Sequence, residues 1–160
     1  MSDENRLFTI LMVDDDPDDR LLFKEACEEV RLRNPLDFLE NGEQLVDYLK
    51  RRGPYADLEG SPFPGIILLD LNMPLKDGRE ALEEIKADAE LRHIPVIVLT
   101  TSKDEDDILS SYGLGASSYI VKPISLDRLM RVVNSIGEYW VQIVEVPQTE
   151  RADGEPVDEI

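Results

Sequence analysis

The chain has 160 residues, the length of one domain with at most a short appendage. Apolar residues make up 42% and charged ones 32%, enough to bury a real core. Lys and Arg number 17 against 35 Asp and Glu, so the net charge is 17 − 35 = −18. Such a surface repels phosphate backbones and anionic lipids, which argues against nucleic acid and membrane as partners and favours a small multivalent cation. The single cysteine, Cys27, cannot form an internal disulfide, which suits a reducing compartment. The start MSDENRLFTI lacks a basic segment followed by an apolar one, and no apolar run nears the ~20 residues that span a bilayer. A soluble, cytoplasmic protein is expected.

Taken in chain order, the pattern alternates strands and helices. Residues 7–13 (LFTILMV) form an apolar run, the mark of a strand buried on both faces. Asp16-Pro17 starts a first helix, with Leu21, Leu22, Ala26, Cys27 and Val30 at helical spacing. Residues 36–39 predict a second strand, and Asn41-Gly42 opens a second helix that buries Leu45, Val46 and Leu49 and stops at Gly53. The stretch 53–64 carries three prolines and reads as a loop. Residues 65–69 (GIILL) predict a third strand ending on Asp70, and 79–89 a third helix with Ala81, Leu82 and Ile85 inward. A strand over 95–99, a fourth helix near 104–113 and a strand over 118–121 follow. The final helix begins near Ser125 and carries Leu126, Leu129, Val133, Ile136, Trp140 and Ile143 on one stripe.

Five strands alternating with five helices predict an α/β fold, a parallel sheet with helices on both faces. In such sheets ligands bind beyond the carboxyl ends of the strands. Asp14, Asp15 and Asp16 follow the first strand, Asp70 the third, Thr100 with Thr101 and Ser102 the fourth, and Lys122-Pro123 the fifth. Carboxylates gathered on one rim need a positive charge among them, and Mg²⁺ is the expected cofactor because it takes oxygen ligands and pairs with phosphate. A hydroxyl and a lysine supply what phosphoryl oxygens require.

The set VDD, LLDLNMP, LTTS and SYIVKP, each at the end of its strand, resembles the receiver domain of two-component response regulators over about residues 6–145. The stretches DGREALEEIKAD, IPVIVLTTSKDEDDI, SSYGLGASSYIVKP and EYWVQIVEVP further resemble the stand-alone regulators that pair with cyanobacterial phytochromes and bacteriophytochromes. This resemblance implies a flavodoxin-like, doubly wound sheet of order 2-1-3-4-5. It implies that Asp70 is phosphorylated from a sensor histidine kinase of phytochrome type. Asp15 then binds the metal directly, Asp14 through water and Asn72 by its carbonyl. Thr100 becomes the switch hydroxyl, Lys122 the phosphate-binding lysine, Tyr119 the aromatic that changes rotamer, and the peptide before Pro123 is cis. Dimerisation through the face of the fourth and final helices is implied as well.

Plainer roles are expected for several neighbours. Asp16 caps the first helix, Cys27 packs in the core, and His93 lies in a loop away from the acidic rim. The receiver is expected to cover 1–146, with 147–160 an acidic, disordered tail too short to hold an output domain. Output must then run through protein contacts. The apolar stripe that continues through Trp140 and Ile143 is expected to make a homodimer contact. The alternative is a small Mg²⁺-dependent phosphohydrolase with Asp70 as nucleophile. Against it, the position two past Asp70 holds Asn72 rather than a second acid, and the chain has no room for a cap domain.

Overall fold

The computed structural model describes residues 7–73, 78–100, 113–122 and 125–139. In order the elements are β1 (Ile10–Val13), α1 (Pro17–Glu29), β2 (Leu36–Leu39), α2 (Gly42–Leu49), a 3-10 helix (Gly53–Leu58), β3 (Ile66–Asp70), α3 (Gly78–Ala87), β4 (Val96–Thr100), β5 (Ser118–Val121) and α4 (Leu126–Tyr139). The five strands form one parallel sheet of order β2-β1-β3-β4-β5. The helix expected at 104–113, the peptide before Pro123, Trp140, Ile143 and the tail lie outside the described residues, apart from Gly113 at the end of the first.

The chain forms two compact units. The first comprises Thr9–Arg20 and Leu36–Pro123 and holds the whole sheet. The register places Leu11 and Val13 beside Ile67 and Leu69, and those beside Val96 and Val98, all on one face. Against that face pack Leu45, Val46 and Leu49 of α2 and Ala81, Leu82 and Ile85 of α3. The alternate residues Ile10, Met12, Ile66, Leu68 and Leu99 are equally buried. Burial on both faces is why β1 and β3 read as unbroken apolar runs instead of alternating ones. In the second unit, Ser125 caps α4 by accepting from the Arg128 N–H at 3.2 Å, and Asn34 donates to the Phe8 carbonyl at 2.9 Å.

Three details differ from the expectations above. Phe23, not Leu21, belongs to the buried stripe of α1: Phe23 is 0% exposed and Leu21 55%. The segment after α2 is not all loop, because Pro54 sits in the first turn of the 3-10 helix, where its missing N–H costs nothing. Gly53 does not stop α2 either. The stop is Arg51, in the left-handed region at φ 57°. Its N–H donates to the Tyr48 carbonyl and the next N–H, of Arg52, to that of Asp47, the paired bonds of a Schellman turn. The Arg51 guanidinium fastens the conformation, donating to the carbonyls of Tyr48, Ser61 and Pro62 and lying over the rings of Tyr48 and Phe63. Arg31 ends α1 with the same bonds at φ 59°.

Candidate functional site at the strand ends

Among the described residues the buried polar side chains are Asp14, Asn34, Asp70 and Thr100. Asn34 is accounted for by its bond to Phe8; the other three stand at strand ends. Asp14 follows β1, Asp70 closes β3, and because Val13 pairs with Leu69 the two carboxylates are neighbours. β1 and β3 flank the point where strand order reverses, the place where open α/β sheets bind ligands.

Alternation decides which strand-end side chains meet. Asp14, Asp70 and Lys122 are in phase with Met12, Leu68 and Ile120 and share one side of the sheet. The Lys122 N–H bonds to the Thr100 carbonyl at 2.7 Å, which extends the β4–β5 ladder up to the lysine. Its ammonium donates to Asp19 at 2.7 Å, Asp14 at 2.8 Å and Asp70 at 3.3 Å. Thr100 is in phase with Val96 and Val98 and so belongs to the other face, the one on which half-buried Tyr119 packs.

Local backbone bonds fix the carboxylates. Asp14 Oδ1 accepts from the Asp16 N–H at 2.9 Å and Asp70 Oδ1 from the Asn72 N–H at 3.0 Å. Asp16 in turn caps α1, accepting from the Asp18 N–H at 2.9 Å. Arg20 reaches back to the Asp14 carbonyl at 2.6 Å. Exposed Asp15 completes a trio with Asp14 and Asp70, one oxygen from each lying within 4.8 Å of the others. Asp15, Asp19, Asp70, Asn72 and Lys122 help line an open cleft of about 520 Å³.

The electrostatics follow from burial. Desolvation pushes the Asp70 carboxyl up to about 6 and raises that of Asp14, against the opposing pull of Lys122 and of the backbone N–H groups. Lys122, although desolvated, is held well above the usual lysine range by the carboxylates around it. With all groups ionised, four carboxylates face one ammonium, and 1 − 4 leaves −3. Oxygen-only donors and uncompensated negative charge fit a hard divalent cation, which Asp14, Asp15 and Asp70 can hold.

The sequence reading placed Asp14, Asp15, Asp70, Asn72 and Lys122 together, and they line or face one cleft. It missed Asp19, which resembles any acid in a first helical turn. It also missed Gly78, at the start of α3. A Cβ there would lie 2.4 Å from the Asp70 carbonyl oxygen and 2.6 Å from Leu71 Cα, so only glycine lets α3 begin against the backbone of the site. The DGRE wording was the available clue. His93 is exposed, and Cys27 is buried with its thiol pushed up to about 12, an inert core position.

A doubly wound sheet with an acidic trio and a lysine at its switch point defines a receiver domain. Residues 10–134 match the family model of the response regulator receiver domain, and the chain belongs to that family. It is 42% identical to response regulator Rcp1 of Synechocystis sp. over 148 residues, 92% of this chain and 99% of that protein. Among solved structures it is similar to the phosphorylated cyanobacterial phytochrome response regulator RcpA, with TM-score 0.74, 41% identity and coverage of 84% of this chain and 94% of that one. It is also similar to the Mn²⁺-bound form of Rcp1, with TM-score 0.73, 40% identity and coverage of 85% and 96%. Membership of this family implies a sensor kinase as partner. Among the described residues no helix is long and apolar enough to cross a membrane.

Proposed function

We propose that this receiver takes a phosphoryl group on Asp70 from the phosphohistidine of a phytochrome-type sensor kinase and signals through protein contacts. The observation that carries the reading is the buried Asp70 carboxylate, held by the Asn72 N–H and faced by the Lys122 ammonium beside Asp14 and Asp15. An Asp70 oxygen attacks phosphorus, the O–P bond forms as the N–P bond breaks, and the imidazole leaves with the bonding pair and takes up a proton. Asp14, Asp15 and Asp70, with the carbonyl of Asn72, would hold Mg²⁺. When bound, the ion neutralises charge on the phosphoryl oxygens and lets an anionic donor approach the acidic rim. Lys122 meets a remaining phosphoryl oxygen. The hydroxyl of Thr100 then moves toward the phosphoryl group, and Tyr119 follows into the space released.

The Rcp1 and RcpA likeness supports the phytochrome pairing, and the apolar stripe through Trp140 and Ile143 supports a homodimer as the signalling form. The hydrolase reading is not favoured, because the position two past Asp70 is Asn72 and the chain belongs to the receiver family. The test is incubation with acetyl phosphate and Mg²⁺, then with autophosphorylated phytochrome-type kinases, followed by intact mass. One phosphoryl group per chain, absent in Asp70→Asn and without Mg²⁺, is expected. Wild-type labelling of Asp70→Asn, or turnover of many equivalents of acetyl phosphate per minute, would overturn it.

A further inference from the structure

An ammonium group has three N–H donors. In Lys122 all three go to carboxylates, and the shortest bond is not to Asp14 or Asp70 but to Asp19 at 2.7 Å; the bond to Asp70 is the longest, at 3.3 Å. Asp19 sits in the first turn of α1, its side chain one-third exposed, on the wall of the same cleft. It is not one of the trio whose oxygens lie within reach of one cation. Its carboxylate is therefore available to hold the lysine without giving up a metal ligand.

We propose that Asp19 is a positioning residue that anchors Lys122 at the edge of the acidic cluster and so keeps Asp14 and Asp70 open to a divalent cation. With Asp19 absent, the freed N–H has Asp14 and Asp70 as its remaining carboxylate partners. The ammonium then closes on them and competes for the oxygens the cation needs. Asp19 thus acts on the cation through Lys122 and not only through its own charge. The inference rests on the divalent-cation reading of the site, but not on phosphorylation of Asp70.

The experiment is calorimetric titration of the full-length chain with Mg²⁺, as wild type, Asp19→Asn, Lys122→Met and the double variant. Asp19→Asn should weaken affinity about tenfold, as loss of a residue that orients metal ligands does. In the Lys122→Met background the same change should cost about twofold or less, the residue of a screened surface charge. Asp19→Glu keeps the charge but moves the carboxylate out by one methylene, and should also weaken binding; this single variant tests the idea if Lys122→Met does not fold. Equal losses in both lysine backgrounds, or full affinity in Asp19→Glu, would overturn the proposal. Absence of Mg²⁺ binding in the wild type would instead overturn the cation reading beneath it.

Discussion

Asp70 combines two conditions that ordinarily exclude each other, burial and a carboxylate's charge. Its carboxyl is pushed up to about 6 by desolvation, so folding takes up a proton between the ordinary value of 3.8 and about 6. For an acid raised in this way the sign is fixed: the metal-free protein gains from this group as pH falls through 6, and carries its full cost above that. Asp70→Asn should then raise metal-free stability at pH 7.5 by about 1–3 kcal/mol and flatten the profile between pH 4 and 6, by urea denaturation. An unchanged midpoint would contradict the raised carboxyl, because the value of about 6 already includes the opposing pull of Lys122. Thr100 is the second residue with a separable role. It is 1% exposed, closes β4 and shares a face with Tyr119. Thr100→Ala should still accept phosphate from acetyl phosphate but lose the phosphorylation-dependent shift of the Tyr119 ring resonances. A wild-type shift in that variant would place the switch elsewhere.

At the scale of elements, how α3 begins matters as much as which residues it buries. Gly78→Ala forces a Cβ into the backbone at Asp70 and Leu71, neither of which is a flexible side chain that can swing away. The variant should lose roughly 1–3 kcal/mol, the range for overpacking, and should phosphorylate more slowly because the strand end carrying Asp70 must shift. Urea midpoints and acetyl phosphate kinetics measure both effects, and a wild-type rate with lowered stability would separate them. In α1 the burial difference is large enough to decide a mutant pair. Phe23→Ala should cost about 3–5 kcal/mol and Leu21→Ala under about 0.5. Comparable losses in the two would restore Leu21 to the buried stripe. The ends of α1 and α2 carry arginine where glycine is usual, and Arg51 shows how: five side-chain contacts outweigh the strain of one left-handed residue.

At the scale of the molecule, the prediction concerns the apolar stripe that α4 starts. Leu129, Val133 and Ile136 are buried, and in the sequence the same spacing runs on to Trp140 and Ile143. If that continuation is a dimer contact, Trp140→Glu should give a monomer that still accepts phosphate on Asp70. Sedimentation at tens of micromolar, with and without an acyl-phosphate mimic, measures it, and a monomeric wild type under both conditions would remove the dimer from the account.

The alternation of apolar runs with helical stripes was sufficient to read a parallel sheet, because a strand buried on both faces leaves no other pattern. The strand-end acids and Lys122 were legible for the same reason: a charged residue directly after three or four apolar ones stands where the sheet meets solvent. Which of those side chains meet is a matter of phase. The register of Val13 with Leu69 and of Leu99 with Ile120 puts Asp14, Asp70 and Lys122 on one side and Thr100 on the other. Asp19 and Gly78 could not be read from local pattern. An acid in a first helical turn and a glycine near a helix start are common for local reasons. What sets these two apart is a lysine 103 positions away and a backbone carbonyl 2.4 Å from a missing Cβ. Local sequence determines periodicity and caps because those depend on neighbours in the chain. Contacts between distant strand ends depend on how the sheet closes, and only the tertiary structure decides them.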